Sequence, residues 1–285
     1  MSIHTDCLAE ACKRLDVPCS FVGGDENFLQ VDLAGRRYYF PGTSTPFNDG
    51  ATSKICRDKE FSYKLLGKAI AMPKTMGFVD PEGPEVYRSY ARAASTGEVI
   101  ERILAEFALP VIVKRNSGSQ GRHVFLCKSR DDVKVAVEKV FDKNEAETDK
   151  YDHVILAQEY IEGQKEYRAV VFEREILLLY EKDVSNALFI GNLSPLHWEN
   201  SKAVHITDPA MIARMQEFTA PIYPLLDLRY GGLDIIEDAA GRLTLVELNS
   251  RPGFGRFAKD NGREPLVQMY MRIIVRLGPS ATSRL

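Results

Sequence analysis

The sequence contains no feature of a membrane protein and carries very little net charge. No apolar run approaches the roughly 20 residues that a membrane-spanning helix needs. The first ten residues carry His4 and Asp6 in place of a hydrophobic signal core, so we do not expect export. The formal net charge of −3 lacks the excess of positive charge that is typical of proteins that bind nucleic acid. We therefore predict a protein without membrane or nucleic-acid partners.

The cysteines are also few, and their spacing fits no common cysteine-based site. There are five, with no C-x-x-C pair among them. The odd number argues against a disulfide scaffold, and the missing pair argues against a zinc knuckle. Reduced thiols and a cytoplasmic location are the resulting expectation. No Ser/His/Asp or Cys/His arrangement indicates a nucleophilic active site.

The sequence does have the composition of an ordinary globular enzyme, with 45% apolar and 27% charged residues over 285 positions. Helical and strand patterns alternate along it. For example, Ser95 and Glu98 form a capping-box pattern before an apolar i, i+3, i+4, i+7 repeat. Tight turns join many neighbouring strands, which predicts an α/β (α+β) protein with largely antiparallel sheets.

Three oxygen-bearing side chains fall on a predicted hairpin near the end of the sequence. Side chains two apart on a strand share a face, so Glu247 and Asn249 project together while Val246 and Leu248 face the core. Asp234 lies among apolar residues on the partner strand. These groups suit a hard cation such as Mg²⁺ at nucleotide phosphates. Acidic pairs on strand surfaces are more often simply solvated, so the hairpin alone does not establish a metal site.

A lysine at the end of a buried strand precedes a loop rich in small residues. Lys114 follows the apolar run at 111–113, and residues 116–121 are Asn-Ser-Gly-Ser-Gln-Gly. Small residues let backbone N–H groups close on phosphate oxygens, while the lysine supplies a point charge. The segment is not a Walker A loop, since no G-K-[ST] follows. An ordinary hairpin turn is an equally good interpretation.

A further strand ends near Gln158 and is followed by a glycine-containing bend and Glu166. A strand that leaves the core at such a bend can offer backbone groups to adenine, and an acidic residue there can hold ribose hydroxyls. A plain strand-end turn explains the same residues.

Taken together, the order and spacing of these features resemble the ATP-grasp family of carboxylate–amine ligases. The most specific match is the run Glu247-Leu248-Asn249-Ser250-Arg251-Pro252-Gly253, which is similar to the E-x-N-x-x-P-G signature of the family. The resemblance covers about residues 43–277. The sequence looks most like cyanophycin synthetase and bacterial bifunctional glutathione synthetase. Ribosomal-protein glutamate ligases and D-alanine–D-alanine ligase are similar at a greater distance.

The resemblance implies an ATP-grasp fold, in which two α+β subdomains grip ATP, and a division of the chain. Residues 1–54 form a short N-terminal region, and residues 55–285 form the catalytic domain with a lid subdomain at about 108–160. The N-terminal region is shorter than is usual in the family, where it helps to shape the acceptor site.

The resemblance also implies a role for each candidate residue. The nucleotide-binding residues are Lys59, Lys114, Ser117, Gly118, Ser119, Gly121, Gln158, Glu159, Ile161 and Glu166. The ligands of Mg²⁺, with Mn²⁺ as an alternative metal, are Asp234, Glu247 and Asn249. The catalytic cations are Lys114, Arg168 and Arg251. For Arg168, a simple ion pair with a nearby carboxylate is the other interpretation.

The implied activity is that of an ATP-dependent, ADP-forming ligase, which joins an amino-acid or peptide carboxylate to an amine through an acylphosphate. A phosphotransferase with the same fold and a nucleotide-binding regulatory protein are the alternatives. Gly232 stands where D-alanine–D-alanine ligases carry an arginine, so we do not expect dipeptide formation of that type. The poorly periodic segment 183–202 is interpreted as a substrate loop. A homo-oligomer is left open, because relatives often form dimers or tetramers.

Overall fold

The computed structural model describes residues 2–116, 123–142, 153–187, 196 and 198–278. The predicted nucleotide-loop residues Ser117, Gly118, Ser119 and Gly121 lie outside this part of the chain, as does the middle of the predicted substrate loop. Within the described residues, no helix has both the length and the apolar character needed to cross a membrane.

Helices and strands alternate along the chain, as the sequence patterns predict. The helices are α1 (Ile3–Arg14), α2 (Gly50–Arg57), α3 (Lys59–Leu66), α4 (Glu85–Arg88), α5 (Thr96–Glu106), α6 (Arg130–Phe141), α7 (Pro209–Thr219), α8 (Gly255–Asn261) and α9 (Glu264–Leu277). The strands are β1 (Cys19–Phe21), β2 (Phe28–Leu33), β3 (Arg36–Pro41), β4 (Thr75–Val79), β5 (Val111–Arg115), β6 (Val124–Cys127), β7 (Val154–Glu159), β8 (Lys165–Phe172), β9 (Glu175–Asp183), β10 (Lys202–His205), β11 (Tyr230–Glu237) and β12 (Leu243–Asn249).

The described strands form three sheets in which every pairing is antiparallel. A small N-terminal sheet has the order β1-β2-β3, a four-stranded sheet has the order β4-β7-β5-β6, and a five-stranded sheet has the order β10-β9-β8-β11-β12. The predicted α+β class with antiparallel sheets is confirmed.

Apolar side chains cover both faces of the five-stranded sheet. On one face Val170 and Tyr230 share a core with Leu8 of α1 and Ile273 of α9. On the other face a second core includes Met215 of α7. A third core joins the four-stranded sheet to α5 and α6. Burying one such side chain contributes roughly 1.5–3 kcal/mol. The N-terminal helix is therefore packed into the same core as the larger sheet.

The first turn of α3 fixes the position of a predicted site residue. The Asp58 side chain accepts a hydrogen bond from the Phe61 backbone N–H at 3.1 Å and so caps the helix. Such a cap contributes about 1 kcal/mol. Because the helix begins directly after Asp58, Lys59 occupies its first position, where it is buried between the two larger sheets.

The β11–β12 hairpin contains a bulge that strict alternation does not predict. Asp234 pairs with Glu247, whereas the next residue, Ile235, pairs with Leu245, so Val246 is the extra residue. A bulge of this kind bends the strand and reverses the alternation locally. Val246 is accordingly half-buried and outside the core cluster that holds Leu245. The expectation that Val246 faces the core is wrong.

Candidate active site

One row of side chains crosses the five-stranded sheet and carries most of the predicted charges. Glu247 lies opposite Asp234, Asp234 opposite Arg168, and Arg168 opposite Tyr180. Directly opposed side chains on neighbouring strands lie on the same face of a sheet. Arg168 donates two hydrogen bonds to Asp234, from Nε to Oδ1 and from Nη2 to Oδ2, each at 2.7 Å. This two-point geometry is the strongest that arginine makes with a carboxylate.

A second cation, Lys182 of β9, reaches the same aspartate. Its Nζ lies 3.1 Å from Oδ1 of Asp234 and also contacts Glu166. Burial alone raises the pKa of Asp234, but Arg168 and Lys182 outweigh it and hold that pKa well below its usual range. Burial raises the pKa of Glu166, and Lys182 offsets this only in part. Asp234 is therefore a carboxylate whose charge two cations balance.

The predicted metal ligands converge at the end of the hairpin. The amide of Asn249 lies close to Asp234, with 3.3 Å between Nδ2 and Oδ2, and Glu247 is the register partner of Asp234. Two carboxylates and one amide provide the oxygen donors that a hard divalent cation takes. No group of three His, Cys, Asp or Glu residues in the described part of the chain suits a metal, so the set depends on the Asn249 oxygen. In its donor chemistry this set fits Mg²⁺.

The four-stranded sheet contributes a buried cation with a neutral partner. Lys114, at the end of β5, donates a hydrogen bond from Nζ to Oε1 of Gln158 at 2.7 Å. The Gln158 amide is held in turn by Thr75, whose Oγ1 accepts from Nε2 at 2.9 Å. Burial, reinforced by the positive charge of Lys59, lowers the pKa of Lys114 to about 8, against an opposite effect of Glu247.

Lys59 connects the two sheets across the site. Its Nζ lies 3.2 Å from Oε1 of Glu247 on β12 and 3.4 Å from the backbone oxygen of Asn116, which follows β5. The Asn116 side chain accepts a hydrogen bond from the Glu60 N–H at 3.1 Å. Lys59 and Lys114 therefore lie on one side of the predicted metal ligands, and Arg168 and Lys182 lie on the other.

The remaining predicted residues are less closely involved with this cluster. Glu159 ends β7, and its backbone N–H donates to the Lys74 carbonyl at 2.8 Å. Ile161 follows two residues later and is half-buried. Arg251 is exposed and forms no ion pair with another described residue. The structure thus brings Lys59, Lys114, Gln158, Glu166, Arg168, Asp234, Glu247 and Asn249 together, and leaves Arg251 at the margin.

Sequence reasoning missed Lys182 and Thr75. Lys182 could have been noticed, because it lies two residues after Tyr180, just beyond the apolar run of β9, and so falls on the same face of the strand. Thr75 carries no comparable signal, since its role comes only from the pairing of β4 with β7, which sets it opposite Gln158.

Two antiparallel sheets with their helices, joined across the site by Lys59 and bringing the buried Lys114 towards the oxygen ligands of β11 and β12, define a protein of the ATP-grasp fold. The model of the RimK-like ATP-grasp domain matches residues 56–273, and the chain belongs to that family.

Curated relatives are ligases of two kinds. A D-alanine–D-alanine ligase of Actinobacillus pleuropneumoniae serotype 5b (strain L20) is 25% identical over 202 residues, covering 70% of this chain and 59% of the relative. A probable alpha-L-glutamate ligase of Azotobacter vinelandii (strain DJ) is 24% identical over 222 residues, covering 77% of this chain and 64% of the relative. The chain thus spans about three fifths of the length of these relatives.

Among solved structures, a bifunctional glutathione synthetase of Pasteurella multocida superposes with a TM-score of 0.56 at 13% identity. The match covers 97% of this chain and 43% of the synthetase. At this identity the likeness shows the fold alone, and it extends over the N-terminal region as well as the family domain.

Proposed function

We propose that the protein is an ATP-dependent ligase, which joins the carboxylate of an amino acid or peptide to an amine and releases ADP and phosphate. The observation that carries this proposal is Lys114, a buried ammonium group whose hydrogen-bond partner in the described part of the chain is a neutral amide. Burying a positive charge is costly unless an anion approaches it. Burial, and after it the second ammonium of Lys59, lowers the pKa of Lys114, and two neighbouring ammonium groups favour an anionic ligand with several oxygens, such as a triphosphate.

In this proposal different residues around the site hold different parts of the nucleotide. Lys59 and Lys114 bind phosphate oxygens, with the predicted loop residues Ser117, Gly118, Ser119 and Gly121 over them. Gln158, Glu159 and Ile161 lie along the adenine, and Glu166 holds the ribose. The division into residues 1–54 and 55–285, with a lid at about 108–160, remains a proposal of the same kind.

Asp234, Glu247 and Asn249 would hold Mg²⁺, or Mn²⁺ in its place. When bound, such an ion neutralises charge on the phosphate oxygens as a Lewis acid. Because Asp234 is bound by Arg168 and Lys182, a metal that reaches it competes with these cations for the carboxylate.

The chemistry is activation of a carboxylate, whose own oxygen is a poor leaving group. Transfer of the γ-phosphoryl group to that oxygen gives an acylphosphate, from which phosphate departs when an amine attacks the carbonyl carbon. Both steps develop negative charge on oxygen, and fixed cations stabilise it. Arg168 and Lys114 are positioned for this role by Asp234 and Gln158, and Arg251 acts from the margin of the site.

Two other functions would use the same nucleotide site. A phosphotransferase would release ADP in the presence of a single acceptor, and a regulatory protein would bind ATP without turnover. The intact set of Lys114, Asp234, Glu247 and Asn249 favours an enzyme over a regulator. A cytoplasmic location, small-molecule amino acid or peptide substrates and a homo-oligomer stay predictions.

ADP release in the presence of ATP and Mg²⁺, with carboxylate and amine substrates supplied singly and in pairs, tests the proposal. A ligase releases ADP at full rate only with a complete pair, and mass spectrometry detects the amide. We expect Glu247→Ala to reduce the rate at least 100-fold, and Glu138→Ala on the exposed side of α6 to leave it unchanged. Full ADP release with one substrate would favour the phosphotransferase, and an active Glu247→Ala variant would refute the metal assignment.

A further inference from the structure

Two of the five cysteines lie together where the N-terminal helix meets the N-terminal sheet. All five are free thiols. Cys12, in the last turn of α1, is completely buried, whereas Cys19, the first residue of β1, is exposed. Cys56 and Cys127 are each buried in a different core from Cys12. Cys12 and Cys19 therefore form a pair with one buried and one accessible sulfur.

The strand register directs the side chain of Cys19 towards α1. Cys19 lies directly opposite Val31 of β2. Directly opposed side chains on neighbouring strands lie on the same face of a sheet. Val31 is buried in the same core as Cys12, and α1 contacts both β1 and β2. The side chain of Cys19 thus lies on the face of the sheet that α1 covers.

The turn between α1 and β1 brings the two sulfurs into contact. The backbone N–H of Val17 donates to the Cys12 carbonyl at 2.9 Å and folds the chain back onto the last turn of α1. The N–H of Asp32 donates to the Pro18 carbonyl at 2.9 Å and joins the turn to β2. Cys19 follows directly, and the thiol of Cys12 donates a hydrogen bond to its sulfur.

The two thiols differ in how they can react. Burial, and after it the neighbouring Cys19, raises the pKa of Cys12 well above its usual range. Burial also raises the pKa of Cys19, but the hydrogen bond from Cys12 acts against this and favours the thiolate. The thiolate is the nucleophile in thiol–disulfide exchange. A reagent in solution therefore meets Cys19 first, whereas Cys12 reacts only with a sulfur that is already beside it.

We propose that Cys12 and Cys19 are a modification site, at which a small-molecule disulfide such as oxidised glutathione produces a reversible disulfide bond. The Cys19 thiolate attacks one sulfur of the oxidant, which forms a mixed disulfide and releases one glutathione thiolate. The sulfur of Cys12 then attacks that of Cys19 and releases the second glutathione thiolate. The two protein thiols lose two electrons and two protons, and the oxidant is reduced to two thiols.

The disulfide closes the loop of residues 13–18 and fastens the end of α1 to β1. Its sulfur–sulfur bond of about 2 Å is shorter than a hydrogen-bond contact, so one of the two elements shifts towards the other. The element free to do so is β1, which has three residues and lies at the edge of its sheet. The site precedes the family domain at residues 56–273, and the inference does not depend on the proposed ligase function.

Thiol counting by mass spectrometry on the full chain tests the proposal. The fully reduced protein is incubated with excess oxidised glutathione at pH 8 and quenched with acid, and its remaining thiols are alkylated after unfolding. We expect alkylation of three of the five cysteines and, after digestion, a pair of peptides linked through Cys12 and Cys19. Treatment with dithiothreitol before alkylation should restore all five thiols.

Three variants separate the roles of the cysteines. Cys12→Ala should retain glutathione on Cys19 at a level at least tenfold above that of the wild type, because no thiol is left to resolve the mixed disulfide. Cys19→Ala should react with oxidised glutathione neither at Cys12 nor elsewhere. Cys7→Ala, which removes another buried thiol of α1, is the matched control and should form the disulfide as the wild type does.

Three results would each overturn the proposal. They are five alkylated thiols in the treated wild type, a glutathione adduct on wild-type Cys19 as abundant as that of Cys12→Ala, and loss of the disulfide in Cys7→Ala. The thiol count of the wild type requires no substitution, so it decides the matter even where replacement of a buried cysteine impairs folding. A protein that forms the disulfide but releases no ADP with any substrate pair would refute the ligase function alone.

Discussion

The two larger sheets carry their buried charges in opposite ways. On the five-stranded sheet, Asp234 is bound by two cations and its charge is balanced within the protein. On the four-stranded sheet, Lys114 is bound by a neutral amide, and the positive charge of Lys59 acts on it more strongly than the opposite charge of Glu247. The first arrangement is stable as it stands, whereas the second gains from an incoming anion. The comparison identifies the Lys114 side as the place where ligand binding contributes most, and the Asp234 side as the place where a metal competes with cations of the protein.

The largest expected loss of stability is that of Asp234→Asn, on the five-stranded sheet. The substitution leaves Arg168 and Lys182 as buried cations without their shared carboxylate, which should cost about 3–5 kcal/mol of unfolding free energy. Urea denaturation measures this loss. Asp238→Asn, on the same hairpin but paired with the exposed Arg242, should cost less than about 1 kcal/mol. Equal losses in the two variants would show that the Asp234 ion pairs are not buried in the sense described.

The buried charge of Lys114 should make the stability of the protein depend on pH. The pKa of Lys114 is about 8 in the folded chain and near 10.5 when unfolded, so between these values the unfolded state binds more protons. Stability of the wild type should therefore rise over this range by up to about 3 kcal/mol relative to Lys114→Met, which lacks the group. Denaturation of both proteins at pH 7 and pH 10 measures the change in their difference. A difference that does not vary with pH, as expected for the control Lys134→Met, would contradict the lowered pKa.

A smaller effect is expected when one of the two cations on Asp234 is removed. Lys182→Met leaves Arg168 on the aspartate but takes the cation from Glu166, and should cost about 1–3 kcal/mol. Removing a cation that competes with a metal for Asp234 should also raise Mn²⁺ affinity about threefold or more, measured by electron paramagnetic resonance. Lys165→Met, which breaks the more exposed pair with Glu181, should change neither quantity appreciably. Unchanged Mn²⁺ affinity in Lys182→Met would show that Lys182 does not compete with a metal for Asp234.

The smallest expected loss of stability is that of a substitution at Gly232, which lies on β11 two residues before Asp234. A Cβ at Gly232 would lie 2.9 Å from Cβ of Pro252 and 3.5 Å from Cδ of Arg168, so Gly232→Ala should cost about 1–2 kcal/mol. A Cβ at Gly253 meets nothing within 4 Å, which makes Gly253→Ala the matched control with a change of about 0.5 kcal/mol or less. Thermal unfolding of the two variants gives the comparison. Equal melting temperatures would mean that Pro252 can move aside.

Much of the site could be predicted from the sequence because its residues lie at strand ends with distinctive spacing. Glu247 and Asn249 are two apart on one strand, and their common face follows from the period of a β-strand. Lys114 follows a buried apolar run, which locates it at the end of β5. The capping pattern at Ser95 likewise gives the start of α5, where the side chain accepts from the Glu98 N–H at 3.2 Å.

What could not be predicted depends on partners far away in the chain. The bulge at Val246 arises from the register between β11 and β12, and no local pattern records that register. The contact of Lys182 with Asp234 needs β9, β8 and β11 to be neighbours in that order. The neutral partner of Lys114 follows from the pairing of β5 with β7, and the orientation of Gln158 follows from Thr75 on β4. These features were found only once strand order and register were known.

The central claim is that the cations Lys59 and Lys114 form a phosphate site opposite the metal ligands. Titration of ATP into the wild type, Lys114→Met and Lys134→Met at pH 7 with Mg²⁺ tests it most directly. We expect Lys114→Met to bind ATP at least tenfold more weakly than the wild type, and Lys134→Met to bind it equally well. ATP affinity that is unchanged in Lys114→Met would contradict the account.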